Sequence, residues 1–174
     1  GSSGQVLRNW EAIKQTEPGK PVNRSALDGV PRSLPALLKA QRMQAKASRV
    51  GFDWQNAAGA TAKVGEELAE LQEAAAAGDP QRVTEEMGDL LFSLVNTCRF
   101  LDVDAEQALE AANRKFDRRF REVERRLRAQ GRMFQGSTLE ELDAVWEAVK
   151  AGEKGEAQAG SPPPTDGRIP GSGS

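Results

Sequence analysis

Two short acidic runs carry the residue types best suited to chemistry: Glu66, Glu67 and Glu70, then Glu86 and Asp89. At about 100° per residue, a helix places Glu66 and Glu70 on one face, with Glu67 one step round. Glu86 and Asp89, three residues apart, are likewise helical neighbours. Between the runs lies Gly78-Asp79-Pro80, which reads as a helix stop, a cap and the first residue of a new helix. So short a connection makes the two helices antiparallel neighbours. The runs lie at similar distances from the turn and should face each other. Carboxylates that converge beside an apolar seam repel one another unless a cation neutralises them. Mg²⁺ is suited to this, being held by a few carboxylates together with waters and phosphate oxygens. The chain has no histidine, which removes His-based triads, most zinc sites and the Glu-x-x-His di-iron pattern. Mg²⁺ or Mn²⁺ therefore suits the residue set better than zinc or iron.

The competing reading is that these are solvated Glu-rich helix faces. The joint pattern argues against it. Each run borders an apolar stripe, and Gly65 and Gly88 sit inside helical runs, where glycine costs roughly 1 kcal/mol relative to alanine. Such a glycine often has a packing or access reason.

The elements that position these residues are legible from periodicity and caps. A first helix is expected over 34–48, with Ser33 as cap and Pro35 in the first turn. Val50-Gly51-Phe52-Asp53-Trp54 reads as a loop with two aromatic anchors. A second helix over 58–77 carries Val64, Leu68, Leu71 and Ala75 on one face. A third runs from Pro80 to about Leu101 with a wide apolar stripe, Val83, Met87, Leu90, Leu91, Leu94, Val95 and Cys98, of the kind a buried helix shows. Asp104 with Gln107 opens a fourth, to about Gln130, in which Phe116 and Phe120 are expected in the core. Ser137 with Glu140 opens a fifth, to about Lys150. The expected fold is an all-α bundle of about five helices. Asn9–Glu17 is a weaker helical segment.

The same residues resemble the MazG family of all-α nucleoside triphosphate pyrophosphohydrolases. Glu66-Glu67-x-x-Glu70 followed by Glu86-x-x-Asp89 is similar to that family's acidic signature. Val50-Gly51-Phe52-Asp53-Trp54, Lys63-Val64-x-Glu66-Glu67, Glu86-Met87-Gly88-Asp89-Leu90-Leu91-Phe92, Asn113-x-Lys115-Phe116-x-Arg118-Arg119-Phe120 and Val145-Trp146-x-x-Val149-Lys150 extend the likeness over residues 31–150. It is nearest to the C-terminal module of two-module bacterial MazG proteins. The resemblance implies cleavage between the α- and β-phosphates, giving monophosphate and pyrophosphate, as a house-cleaning activity on surplus or non-standard nucleotides. It implies Glu67, Glu70, Glu86 and Asp89 as metal ligands, and Glu66 as a further ligand or as the residue that orients the attacking water. It also implies that Lys115, Arg119 and Lys150 contact phosphates, that Trp146 stacks on the base, that Asn113 lines the site, and that the protein is a homodimer.

Residue chemistry agrees in part. Lys115 and Arg119 are four apart and can point to one site. Arginine presents a planar fork to phosphate oxygens, whereas lysine presents a point charge. On residues alone, a solvated basic face is the favoured reading of both, since Arg118, Arg121, Arg125, Arg126 and Arg128 lie nearby, and ordinary core packing is the favoured reading of Trp146. Two rival functions follow. One is a non-catalytic helical nucleotide-binding or dimerisation module. The other is a relative of the same fold selective for dUTP or dCTP.

Composition bounds the rest. Net charge is −2, without the basic bias of many nucleic-acid-binding domains, and no nucleic-acid partner is expected. The single cysteine, Cys98, excludes an intrachain disulfide, which suits a cytoplasmic location. No apolar run is long enough to cross a bilayer. Residues 1–4 read as an expression-tag remnant, 5–33 as an N-terminal extension, 34–150 as the catalytic domain, and 151–174, rich in Gly, Ser and Pro, as a disordered tail.

Overall fold

The computed structural model describes residues 24–160. The tag remnant, the helix expected at Asn9–Glu17 and residues 161–174 lie outside the described residues. Those described form five helices and no strand. These are α1 Ala36–Arg49, α2 Ala57–Ala77, α3 Pro80–Phe100, α4 Ala105–Ala129 and α5 Leu139–Ala159. The chain divides into two compact units, at Glu110 and Ala111 within α4.

The first unit contains α1, α2, α3 and the start of α4. The Asn56 side chain caps α2 by accepting from the Gly59 N–H. Gly78 ends the helix in the left-handed conformation at φ 67°, which glycine adopts without steric cost. Asp79 then caps α3, accepting from the Arg82 N–H, with Pro80 at the helix start. This is the expected turn. It returns α3 along α2, so both acidic runs belong to one helical hairpin. α1 is tied to α3 by Gln44, whose Nε2 donates to the Phe92 carbonyl at 2.8 Å. It is tied to the entry of α4 by Gln41, which donates to the Val103 carbonyl and accepts from the Ala105 N–H.

Three expectations in this unit are corrected. α1 starts at Ala36, with Pro35 at the cap position and no side-chain cap from Ser33. The extended ψ of 142° at Pro35 keeps it outside the helix. Phe52 is 83% exposed and anchors nothing. The wide stripe of α3 is only partly covered: Val95 is buried, whereas Met87, Leu91 and Leu94 are exposed.

The second unit contains the remainder of α4 and α5. Its core is Val123, Leu127 and Val149, with Phe134, Leu142, Val145 and Trp146 packed against it. Phe116 and Phe120, expected inside, are exposed. They form an aromatic row instead: Phe120 stacks on Phe134 at 5.0 Å between centroids, and Phe116 lies 5.7 Å from Trp146. The capping box of α5 is Thr138 with Glu141, one residue later than the expected Ser137 with Glu140. Ser137 instead donates its hydroxyl hydrogen bond back to the Met133 carbonyl.

α5 also continues nine residues beyond Lys150, which corrects the disordered tail expected over 151–159. Ala, Glu and Lys in this stretch favour helix enough to carry Gly152 and Gly155. Glu153 is held by Arg119 at 2.8 Å and Arg118 at 3.8 Å.

Candidate functional site

The α2–α3 hairpin sets the register of the site. Glu70 lies eight residues before Gly78 and Glu86 eight after it, while Glu67 and Asp89 lie eleven before and eleven after. In an antiparallel pair, equal distances from the turn become equal heights. Glu67, Glu70 and Glu86 accordingly converge, each offering a carboxylate oxygen within 4.8 Å of the others. Asp89 stands at the level of Glu67 and lines the adjoining cavity with it. Glu66 is not part of the convergence. Its side chain is 65% exposed and pairs with Lys63 at 3.3 Å.

The electrostatics of the cluster are unbalanced. Glu67 is buried, with Oε1 2.8 Å from Lys63 Nζ. Its Oε2 is buried and has no hydrogen-bond partner. An uncompensated buried carboxylate oxygen is costly, so such atoms are rare without a partner or an ion. Glu70 is raised above the ordinary carboxyl range, first by a hydrogen bond shared with Glu86 and then by the charges of Glu67 and Glu86. Lys63 is raised above the ordinary lysine value by its hydrogen bonds to Glu67 and Glu66. The remaining cation is Arg82, 3.7 Å from Glu86 and shared with Glu73 at 3.6 Å. One ammonium and one loosely placed guanidinium face Glu66, Glu67, Glu70, Glu73 and Glu86. An all-oxygen donor set with one orphaned buried oxygen fits a hard divalent cation.

Beside the cluster opens a cavity of about 900 Å³. Leu27, Met43, Phe52, Trp54 and Phe92 give it apolar walls, and Lys63, Glu67 and Asp89 belong to its lining. Asp53 pairs with Arg99 across it. Arg99 also donates through Nε to Asn96 Oδ1 at 3.0 Å and lies over the Phe100 ring at 4.6 Å.

The basic and aromatic candidates belong to the second unit. Arg119 is engaged by Glu153 through its Nε. Lys150 pairs with Glu147 one turn back, at 3.2 Å. Trp146 is half-buried against the core and the Phe116 ring. Asn113 and Lys115 are exposed.

Sequence reasoning assigned no role to Lys63, Gln44 or Asn96. Lys63 was within reach, because it stands four residues before Glu67, the spacing of a helical ion pair. Gln44 and Asn96 depend on tertiary contacts with no local signal.

Comparison with known proteins agrees with this geometry. Residues 55–124, which include both acidic runs, match the MazG nucleotide pyrophosphohydrolase domain. The chain is 47% identical over 154 residues to the nucleoside triphosphate pyrophosphohydrolase of Escherichia coli K12, which covers 87% of this chain and 59% of that protein. It is 44% identical over 153 residues to the nucleoside triphosphate pyrophosphohydrolase/pyrophosphatase MazG of Thermotoga maritima, covering 88% and 58%. It is 41% identical over 150 residues to the uncharacterized protein YabN of Bacillus subtilis, covering 86% and 30%. The chain thus spans under two thirds of the length of each of these relatives. The hairpin that brings the carboxylates together thus lies inside the segment that matches the MazG nucleotide pyrophosphohydrolase domain.

Proposed function

We propose that this chain hydrolyses nucleoside triphosphates to nucleoside monophosphate and pyrophosphate in a Mg²⁺-dependent reaction that clears surplus or non-standard nucleotides. The observation that carries the reading is the convergence of Glu67, Glu70 and Glu86 around a buried carboxylate oxygen that lacks a partner. The names of the Escherichia coli and Thermotoga relatives support the same reaction. Glu67, Glu70, Glu86 and Asp89 would hold the ion, with Mn²⁺ as a substitute. Once bound, it would supply charge for the phosphates and lower the pKa of a coordinated water.

Lys63 fixes Glu67 through Oε1 and so leaves Oε2 for the metal. Glu66, exposed beside Lys63, serves as a further ligand or orients the attacking water. In this reading Lys115, Arg119 and Lys150 bind phosphate oxygens, Trp146 stacks on the base and Asn113 contributes to the substrate site, all as the family resemblance implies. Arg119 would then exchange its Glu153 partner for phosphate, a substitution its planar fork suits. We place the enzyme in the cytoplasm as a homodimer. The exposed Leu68, Leu91 and Leu94 are the kind of apolar surface that a second copy covers.

The test is pyrophosphate release from a panel of ribo- and deoxynucleoside triphosphates, with Mg²⁺ and with EDTA. Metal-dependent release is expected. Glu70→Ala and Asp89→Ala should each reduce kcat by at least about a hundredfold, in line with the loss of preorganised electrostatic groups, while the helical far-UV signal persists. No release by folded protein from any nucleotide would instead indicate a non-catalytic binding module. Release confined to dUTP or dCTP would narrow the substrate without changing the chemistry.

A further inference from the structure

Beyond Lys150, α5 runs on to Ala159 and stays against α4. A Cβ built at Gly152 would lie 3.6 Å from Nη2 of Arg126. One residue further, Glu153 reaches Arg119. Its Oε2 accepts from Arg119 Nε at 2.8 Å, and its Oε1 lies 3.8 Å from Nε of Arg118. Arg119 and Glu153 are 34 residues apart. Their contact is tertiary, unlike the Asp117–Arg121 and Glu122–Arg126 pairs, which helical spacing alone brings together. Lys150 in turn meets Glu147 at 3.2 Å. Arg119 and Lys150, both read above as phosphate contacts, are thus each covered by a carboxylate of α5. Glu147 owes its place to helical spacing. Glu153 does not, and it carries the inference.

A carboxylate on the edge of a guanidinium takes the same N–H groups, in the same plane, that a phosphate oxygen takes. At Arg119 Nε the two anions therefore exclude each other. The pair is also weak enough to yield. The Arg119 side chain is 21% exposed and that of Glu153 29%, so water screens their attraction, and pairs open to solvent contribute little. A phosphate chain carries several charges and reaches more than one cation at once. It can displace a single carboxylate.

We infer that Glu153 is a built-in competitor for the phosphate chain: it holds Arg119 in the free protein, yields it to the nucleotide and reclaims it as pyrophosphate leaves. The inference rests on the proposed phosphate role of Arg119 and adds what occupies that cation between turnovers. The carboxylate lowers the affinity for substrate and product alike. Its return to Arg119 keeps pyrophosphate from being retained.

The experiment titrates the full chain with inorganic pyrophosphate and Mg²⁺ by calorimetry, beside KM measurements on nucleoside triphosphates. Glu153→Gln keeps the shape of the side chain and removes its charge. It should tighten pyrophosphate binding at least about threefold, in line with the loss of one partly exposed competing pair, and lower KM by a similar factor. Glu153→Ala also removes the carboxylate and should do the same. It decides the matter if the glutamine variant does not fold. In an Arg119→Gln background Glu153→Gln should bring no gain, because competition needs the arginine. Weaker, unchanged or absent pyrophosphate binding in the Glu153 variants would overturn the inference, and the weaker case would make Glu153 a residue that holds Arg119 in place for phosphate. An equal gain in the Arg119→Gln background would overturn it as well, since the carboxylate would then act only as a distant charge. Tighter binding with no hydrolysis of any nucleotide would keep the competitor and sink the hydrolase. Hydrolysis with unchanged pyrophosphate affinity would do the reverse.

Discussion

The carboxylates of the two units face opposite surroundings. In the second unit four acidic side chains are matched to arginines. Asp117 pairs with Arg121, Glu122 with Arg125 and Arg126, Glu141 with Arg132, and Glu153 with Arg119 and Arg118. In the first unit Glu67, Glu70 and Glu86 approach one another instead, with Lys63 and Arg82 as their only cations among the described residues. The acidities follow. Hydrogen bonds from Arg125 and Arg126 pull Glu122 down to about 2, whereas the contact with Glu86 pushes Glu70 up. A carboxylate with its own arginine is electrically complete and belongs to the architecture. Carboxylates that share too few cations leave a charge for something else to neutralise, and this distinguishes a candidate site from an acidic surface.

The largest effect that separates the units comes from the core of the second. Leu127 is 1% exposed, so Leu127→Ala should cost about 2–5 kcal/mol. Its thermal transition should still move upward when Mg²⁺ is added. A Leu127→Ala protein that folds but has lost the Mg²⁺ response would mean that the metal depends on the second unit's packing, and the comparison would fail.

The next effect is the metal response itself. At a free Mg²⁺ concentration a hundred times its Kd, binding to the folded state alone contributes roughly 2.7 kcal/mol. Differential scanning calorimetry with and without EDTA should show this as a rise in Tm, lost in the Glu70→Ala, Glu86→Ala double variant. A rise of equal size in that variant would place the cation elsewhere.

Acidity gives a signed test in EDTA. Glu70 is raised in the folded state. Its contribution to stability is present below the unfolded carboxyl value and lost as pH rises through the folded one. Glu122, lowered from 4.5 to about 2, contributes stability above pH 4.5 that is lost as pH falls towards 2. Glu70→Gln should flatten only the upper limb of the Tm–pH curve and Glu122→Gln only the acid limb. A single variant that flattened both limbs would couple the two regions.

The sequence revealed the hairpin because its signals are local. Gly78, Asp79 and Pro80 fix the turn, and equal spacing from it aligns the carboxylates. The same locality explains the misses. Thr138 and Ser137 are equally able caps, and their choice depends on which hydroxyl reaches Met133. The extension of α5 to Ala159 depends on Glu153 meeting Arg119 of another helix. Gln44 acts through a main-chain carbonyl 48 residues away, which no motif records. Phe116 and Phe120 have core spacing, yet Phe120 stacks on Phe134 and Phe116 lies tilted against Trp146, both outside the buried set.

The smallest predicted effect examines the surface of the first unit. Gly65 precedes the first acidic run and Gly88 lies within the second, and a Cβ built at either meets nothing within 4 Å. Neither has a positive φ, so alanine suits the backbone at both positions. If those faces are open in solution, Gly65→Ala and Gly88→Ala should each stabilise the chain by up to about 1 kcal/mol, through helix propensity alone. If the proposed homodimer packs a second copy against them, the added methyl intrudes on that copy. The sign then reverses, and the loss depends on protein concentration, because destabilising the interface shifts a monomer–dimer equilibrium. Urea melts at two concentrations a hundredfold apart, with light scattering to read mass, separate the cases. Stabilisation independent of concentration at both positions would show these two glycines to be outside any interface. It would move the search for the dimer contact to Leu91 and Leu94, where a charged substitution should yield monomer.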